Sequence, residues 1–185
     1  MFRRFGPLAV CLVLLAGPLC SAEKGFYLQA RGAYFFPADQ VFRDIYDGGV
    51  IWGGELGVAI TPNLALWAGV DYFSKNGRLV YTGEETSLRI VPLGGGLKAG
   101  INITPALRPT FAVGVGYFQY QERNSLGTVE KGDLGFMARA GLVYELSETF
   151  FVAFEGTLTA CTVKPLGIEA SLGGLQLGAG AGFRF

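Results

Sequence analysis

Apolar residues alternate with small or polar residues along most of the chain. Leu64, Leu66 and Val70, for example, fall on one side of an extended segment. The same period of two recurs at residues 110–117, 133–144 and 175–185. Helices are disfavoured there, because glycine stands at many of the intervening positions and weakens a helix. The pattern therefore predicts β-strands with one apolar face.

Eight strands are predicted in this way, at residues 24–36, 50–60, 64–80, 87–103, 107–122, 133–146, 150–163 and 168–185. Each is at least as long as the about 9–11 residues that a tilted strand needs to cross a membrane. Short turns are predicted at 61–63, 104–106 and 147–149, and longer polar connections at 37–49, 82–86, 124–132 and 164–167. Alternation of short and long connections is typical of transmembrane β-barrels. The fold class predicted is all-β, an eight-stranded antiparallel up-and-down transmembrane β-barrel.

A weak repeat supports this arrangement. The segments Ile60–Leu64, Ile103–Leu107 and Leu146–Phe150 follow one another at intervals of 43 residues. A solenoid would show a similar period. The presence of three copies, together with the aromatic residue at the C-terminus, favours the barrel. Within the fourth strand, Leu88 and Ile90 lie in one phase and Leu93 and Leu97 in the other. Pro92 separates them, so we expect a β-bulge there.

The composition fits a membrane protein without membrane helices. Half of the 185 residues are hydrophobic, 16% are charged and 29 are glycine. No segment after residue 22 has the about 20 consecutive apolar residues of a membrane helix, and a closed barrel is the other structure that spans lipid. The 15 basic residues balance 15 acidic residues, which argues against a nucleic-acid partner.

The first 22 residues have the features of a signal peptide. Arg3 and Arg4 precede the apolar run Leu8–Leu15, and small residues precede Glu23. We therefore expect residues 1–22 to be cleaved and residues 23–185 to form the barrel domain. A membrane anchor and a lipid modification at Cys20 are the alternatives. Cleavage would leave Cys161 as a lone cysteine, without an internal disulfide.

Charges within the strands fall on the face opposite the apolar one. A soluble calyx would have the reverse polarity, and this chain has too few charges to cover its outside. We therefore expect apolar residues to face lipid and six charged residues to form a belt in the lumen: Arg31, Glu55, Asp71, Lys98, Arg139 and Glu155. The expected ion pairs are Arg31 with Glu55, Asp71 with Lys98, and Arg139 with Glu155. Such a belt would close the lumen of a narrow barrel.

Aromatic residues near the strand ends suggest interfacial girdles. The expected members are Tyr34, Phe36, Tyr72, Phe118 and Tyr120 at the outer ends and Phe150, Phe183 and Phe185 at the inner ends. Packing in a core is the alternative for these rings.

Three segments give the chain its family resemblance. The run Arg89–Lys98, the run Leu107–Tyr117 after a short turn, and the terminal Gly178–Phe185 resemble small eight-stranded outer-membrane barrels of Gram-negative bacteria, the OmpA/OmpX, OmpW and opacity-type group. Thr110-Phe111 replaces the tyrosine usual in that hairpin. The resemblance implies a cell-surface protein of the outer membrane. Its partners would be outer-membrane lipids and the barrel-insertion machinery, which would recognise the final aromatic residue, Phe185.

Catalysis is not expected, because the chain has no histidine. Its serines therefore lack the usual general base, and we expect no cofactor and no metal. Two functions remain for what we expect to be a monomer. One is a structural barrel that interacts through its extracellular loops, with Phe42, Ile45 and Tyr46 of the longest loop as a contact site or as a lid over the barrel mouth. The other is a narrow or gated porin, or a channel for small hydrophobic solutes.

The hydrophobic channel would need an apolar opening. Phe35, Trp67 and Phe73 are the residues that could supply it.

Overall fold

The computed structural model describes residues 25–78, 85–124, 127–163 and 170–185. The expected signal peptide at residues 1–22 lies outside the described residues. One short helix, α1 (Gln40–Tyr46), follows the first strand. The strands are β1 (Phe26–Pro37), β2 (Gly49–Thr61), β3 (Leu64–Arg78), β4 (Glu85–Gly100), β5 (Leu107–Asn124), β6 (Gly127–Glu145), β7 (Phe150–Ala160), β8 (Thr162–Val163), β9 (Ala170–Ser171) and β10 (Gly174–Arg184).

Strands β1 to β7 and β10 form a closed antiparallel barrel in which each strand pairs with its neighbour in the chain. The ring closes between β1 and β10, where Tyr27 pairs with Arg184 and Pro37 with Gly174. Strands β8 and β9 make a separate two-stranded sheet. No helix in the described ranges is long and apolar enough to cross a membrane. The predicted eight-stranded up-and-down barrel is confirmed.

The two faces of the wall differ as the alternation predicts. Large apolar side chains point outward and stay exposed, with Leu134 at 70% and Phe136 at 72%. The alternate positions, such as Met137 and Arg139, are buried in the interior. The exposed apolar surface runs around the barrel and is the surface that lipid would cover.

The outer connections differ from the prediction. The expected loop at 124–132 is mostly strand, because β5 and β6 stay paired up to Asn124 and Gly127. Gly127 has a φ of 141°, which favours glycine. Pairing of β6 with β7, in contrast, ends at Phe136 and Ala160. The β5–β6 hairpin therefore extends beyond β7. Its residues there are polar and read as a loop, but the two strands stay hydrogen-bonded beyond the part of the wall with an apolar outer face.

The bulge expected at Pro92 is not present. The pairing of β4 with β5 keeps one register from Ser87 to Gly100, and the register of β3 with β4 is the same on both sides of Pro92. Leu88 and Ile90 point into the barrel, and each is at most 3% exposed. The apolar pattern changes phase because the upper interior is itself apolar, not because the backbone slips.

The aromatic girdles are partly formed. Tyr34, Phe36 and Tyr72 lie on the outer surface near the outer ends, and Phe183 and Phe185 are exposed at the other end. The prediction was wrong for Phe118 and Tyr120, which are buried inside the barrel. Their positions have the parity opposite to Tyr117, which faces outward, so they must face inward.

Candidate functional site in the barrel interior

Glu55 lies at the centre of a charged network inside the barrel. Its carboxylate contacts the ammonium of Lys98 at 2.9 Å, a guanidinium nitrogen of Arg31 at 3.4 Å, and Nη1 of Arg139. Asp71 binds Arg31 at 2.6 Å. The side chain of Glu55 is fully buried. Lys98 also contacts Glu155 at 3.2 Å, so three cations and three anions neutralise one another where little water can reach them.

The ion pairs differ from the expected ones. Arg31 does contact Glu55, but its shorter contact is with Asp71. Lys98 pairs with Glu55 and with Glu155, the latter at 3.2 Å, and Arg139 pairs with Glu55. Pairs between neighbouring strands were expected, whereas long side chains in a narrow lumen reach across it. Gly53 makes room for this packing, because a Cβ there would overlap the carboxylate of Asp71.

Uncharged residues complete the network. Tyr27 donates from its hydroxyl to Glu55 at 2.5 Å, and Gln29 donates from Nε2 to Glu155 at 2.8 Å. The Nε of Arg139 donates to Thr157 at 3.2 Å. The predicted charge belt does not include these three residues, although they share the inward parity of the charged positions. That parity is the signal that identifies them.

Trp67 separates the network from an apolar upper interior. The guanidinium of Arg139 stacks on the face of its ring, 4.8 Å from the ring centroid. Gly114 allows this position, because a Cβ there would lie 2.7 Å from the indole. Beyond Trp67 most of the buried side chains are apolar, with Thr159 and Gln176 among them. The apolar ones are Phe35, Ile51, Phe73, Leu88, Ile90, Phe118, Tyr120, Met137, Cys161 and Leu172. A cavity in this upper core, lined by Phe35, Phe73 and Phe118 among others, has a volume of about 10 Å³.

Helix α1 covers this apolar core from outside. Asp39 caps the helix by accepting a hydrogen bond from the backbone N–H of Phe42 at 3.1 Å. Phe42 contacts Phe35 and Phe73, with ring centroids 6.2 Å and 6.5 Å apart. Tyr46 donates to Glu122 at 2.8 Å and lies 3.0 Å from the hydroxyl of Thr86. Burial is the main reason that the pKa of Tyr46 is raised.

The loop contact site expected at Phe42, Ile45 and Tyr46 is therefore not exposed. Phe42 and Tyr46 are buried, and Ile45 is partly buried against the same core. The alternative arrangement, a lid over the barrel mouth, is the one that the structure has. The hydrophobic effect explains this arrangement, because the two rings move from water into a barrel mouth that is already lined with apolar side chains. Phe35, Trp67 and Phe73, considered for a solute opening, lie beneath this lid.

A cavity occupies the opposite end of the interior, on the side of the short turns. We call this cavity the vestibule, and its volume is about 810 Å³. Its deep end contains Gln29 and Lys98, and Arg108, Arg184 and Glu148 also line it. Tyr27, Val143 and Phe151 supply an apolar wall. Short turns of transmembrane barrels usually face the periplasm, and we expect the vestibule to open on that side.

No metal-ligand cluster is found within the described ranges: no three His, Cys, Asp or Glu side chains are placed to hold an ion.

Comparison with known proteins gives the family. The sequence matches the outer membrane protein beta-barrel domain over residues 8–185. No curated protein sequence matches at a significant level.

Among solved structures, the chain is similar to Neisserial surface protein A (14% identity, TM-score 0.67), with 87% of this chain and 97% of that chain covered. It is also similar to the N-terminal β-barrel domain of Pseudomonas aeruginosa OprF (19% identity, TM-score 0.57), with 88% and 98% covered. The attachment invasion locus protein Ail of Yersinia pestis is a third example (10% identity, TM-score 0.50), with 88% and 100% covered. These likenesses concern the fold. The chain belongs to the outer membrane protein β-barrel family and is an integral protein of the Gram-negative outer membrane.

Proposed function

We propose that this protein is a closed, non-conducting barrel that serves as a structural and surface-interaction element of the outer membrane. The observation that supports this proposal most directly is the filled interior. The charged network closes the middle of the lumen, and the apolar core under α1 closes the outer half. A side-chain-filled lumen is the usual state of an eight-stranded barrel.

The β5–β6 hairpin is the surface that we propose for interaction. It extends beyond β7, and its exposed face includes Gln121, which donates to Glu130 at 2.5 Å. Lys131 and Asp133 are also exposed on this hairpin. A paired, rigid hairpin presents such groups in a fixed arrangement, which lowers the entropy cost of binding a partner.

A narrow or gated pore is the second candidate. The vestibule already opens the periplasmic part of the lumen as far as Lys98. The remaining barrier is the network plus α1, a helix of seven residues. Displacement of both would join the vestibule to the outside. The pore hypothesis therefore requires two separate barriers to move.

Conductance across a planar lipid bilayer tests the proposal. We expect no resolved single-channel steps from the native protein, because either barrier alone blocks ions. Phe42→Ala should not conduct either, since the network still closes the lumen, and Arg139→Ala with Glu55→Ala should not conduct while the apolar core is intact. The three substitutions combined should raise the conductance.

Arg89→Ala with Glu130→Ala is the matched control, because it changes two charges on the exposed face of the wall. This control should behave as the native protein does. Resolved steps from the native protein in repeated insertions would overturn the closed barrel and establish the pore.

A further inference from the structure

We propose that the periplasmic vestibule is a binding site for short apolar peptides that carry a free C-terminal carboxylate. The vestibule has three chemically distinct parts: a guanidinium that lacks an anion, an apolar wall, and a hydrogen-bond acceptor at the deep end. Each part selects one feature of such a peptide.

Arg108 is the group that calls for an anion. Its Nη2 donates to the carbonyl of Pro62 at 2.8 Å, whereas its Nε is buried and has no hydrogen-bond partner among the described residues. The neighbouring Arg184 is different, because it forms an ion pair with Glu145 at 2.7 Å. None of the ion pairs among the described residues includes Arg108. A guanidinium in this state binds a carboxylate well, since the planar group can donate two parallel bonds.

Gln29 supplies the acceptor. Its side chain is buried, and the residue is 1% exposed. The amide orientation follows from Glu155, because a carboxylate accepts hydrogen bonds and so must face the NH₂ group. The amide oxygen then has no partner among the described residues. Burial of such an oxygen is unfavourable unless a donor reaches it, and a peptide N–H is a donor of the right kind.

The wall between these groups is apolar. Tyr27 and Phe151 pack edge to face with ring centroids 6.1 Å apart, and Val143 is buried beside Phe151. The guanidinium of Arg184 lies over Phe151, 5.2 Å from the ring centroid. Aliphatic side chains would bury apolar surface here, which a free phosphate or acetate ion could not do.

The depth of the vestibule sets the length of the peptide. Gln29 lies four positions along β1 from Gly25 at the rim. At about 3.4 Å per residue and a strand tilt of about 40°, this corresponds to a depth of about 10 Å. An extended peptide of about three residues spans that distance. We therefore assign the carboxylate to Arg108, the side chains to the Tyr27–Phe151 wall, and a backbone N–H to Gln29.

Titration of the isotopically labelled protein in nanodiscs with the tripeptide Ala-Leu-Ala, followed by NMR, tests the site. We expect saturable shifts confined to residues that line the vestibule. Ala-Leu-Ala-amide lacks the carboxylate and should bind about tenfold more weakly, a change of about 1.4 kcal/mol. Arg108→Gln should weaken the acid by about the same factor and leave the amide unchanged. Arg89→Gln, on the outer wall, should change neither.

Other results would reject the assignment. Equal binding of the acid and the amide by the native protein would remove the role of the carboxylate. Displacement of the peptide by inorganic phosphate at equal concentration would show a simple anion site, and displacement by decanoate would show a fatty-acid site. Shifts spread evenly over the protein, or none at 10-fold molar excess, would mean that the vestibule does not bind peptides. Because these outcomes use the native protein, they do not depend on whether a variant folds, and they are independent of conductance.

Discussion

Glu55 is the residue on which the interior depends most. Three cations contact its carboxylate, and the hydroxyl of Tyr27 donates to it as well. A buried carboxylate is stable only when such partners replace the water that it has lost. Removal of one member therefore destabilises the fold mainly because it leaves a buried charge without a partner, and less because a contact is lost.

Arg139→Met tests this dependence. The substitution leaves two cations facing three anions, and we expect the free energy of unfolding to fall by about 3–5 kcal/mol. Urea unfolding in lipid vesicles, followed by tryptophan fluorescence, is the measurement. Trp67 reports directly, because its ring contacts Arg139.

The double variant Arg139→Met with Glu55→Gln should lose much less than the sum of the two single variants. It leaves two complete ion pairs, Arg31 with Asp71 and Lys98 with Glu155. Additive losses in this double-mutant cycle would show that the Arg139–Glu55 contact contributes no coupling energy.

The positions of the six charges could be read from the sequence, because strand parity decides which face each residue occupies. Their partners could not. Asp71 and Lys98 were expected to pair, but the guanidinium of Arg31 reaches Asp71 instead. Side-chain length and lumen width decide such contacts, and neither is visible in the alternation. Tyr27 and Gln29 were missed because the expected belt counted charges alone.

At the scale of elements, α1 lies in the polar connection between β1 and β2 and packs its buried side chains against the apolar core. It has seven residues, fewer than an isolated helix needs to be stable in water. Its stability therefore comes from Phe42 and Tyr46, which are buried in the barrel. We expect α1 to open and close independently of the strands.

Phe42→Ala should increase this local opening without unfolding the barrel. Loss of a buried phenylalanine costs about 3–5 kcal/mol, and α1 can respond by detaching. We expect trypsin to cleave after the exposed Arg43 much faster in this variant, while unheated gel mobility stays that of the native protein.

Val41→Ala is the control for that experiment, since Val41 is 67% exposed and contributes little to packing. Equal cleavage rates for Phe42→Ala and the native protein would show that Phe42 does not hold the lid.

Strands and faces were well predicted where lipid and a polar lumen alternate, as in β3 and β10. The prediction failed where the interior becomes apolar. The bulge predicted from Leu88 and Ile90 and the girdle position predicted for Phe118 and Tyr120 fail for the same reason. Where the interior is apolar, the inward positions carry the apolar side chains, so the phase of the alternation reverses along a strand whose register is unbroken. The length of the strand and its pairing register with the neighbouring strands are then needed to decide which face each residue occupies.

At the scale of the whole molecule, closure joins the first and the last strand of the barrel. The backbone N–H of Phe185 donates to the carbonyl of Phe26 at 2.9 Å, and the ring of Phe185 remains 64% exposed. Phe185→Ser should leave this backbone bond intact but remove the exposed ring. We expect less of the variant in the outer membrane, as measured by fractionation of cells with matched expression. Normal amounts would exclude Phe185 as the insertion signal.

The orientation of the barrel can be tested with thiol labelling. Glu130→Cys on the β5–β6 hairpin should react with a membrane-impermeant maleimide in intact cells, whereas Asn63→Cys in a short turn should react only after permeabilisation. Native Cys161 is the control and should stay unlabelled. It is 4% exposed, and burial raises the pKa of its thiol to about 11. Labelling of Asn63→Cys in intact cells would show that the barrel has the opposite orientation.

The residues of the apolar upper interior also affect the unfolded chain, before the barrel has formed. Residues 88–93 of β4 carry apolar side chains toward both faces, with Leu88 and Ile90 inside and Val91 and Leu93 outside. In the unfolded chain such a stretch is prone to self-association in the aqueous periplasm. Arg89 and Pro92 interrupt it with a charge and a missing N–H, the two features that oppose stacking of strands. Pro92, which makes no bulge in the folded strand, therefore opposes self-association during transit, when the chain has left one membrane and has not yet entered the other.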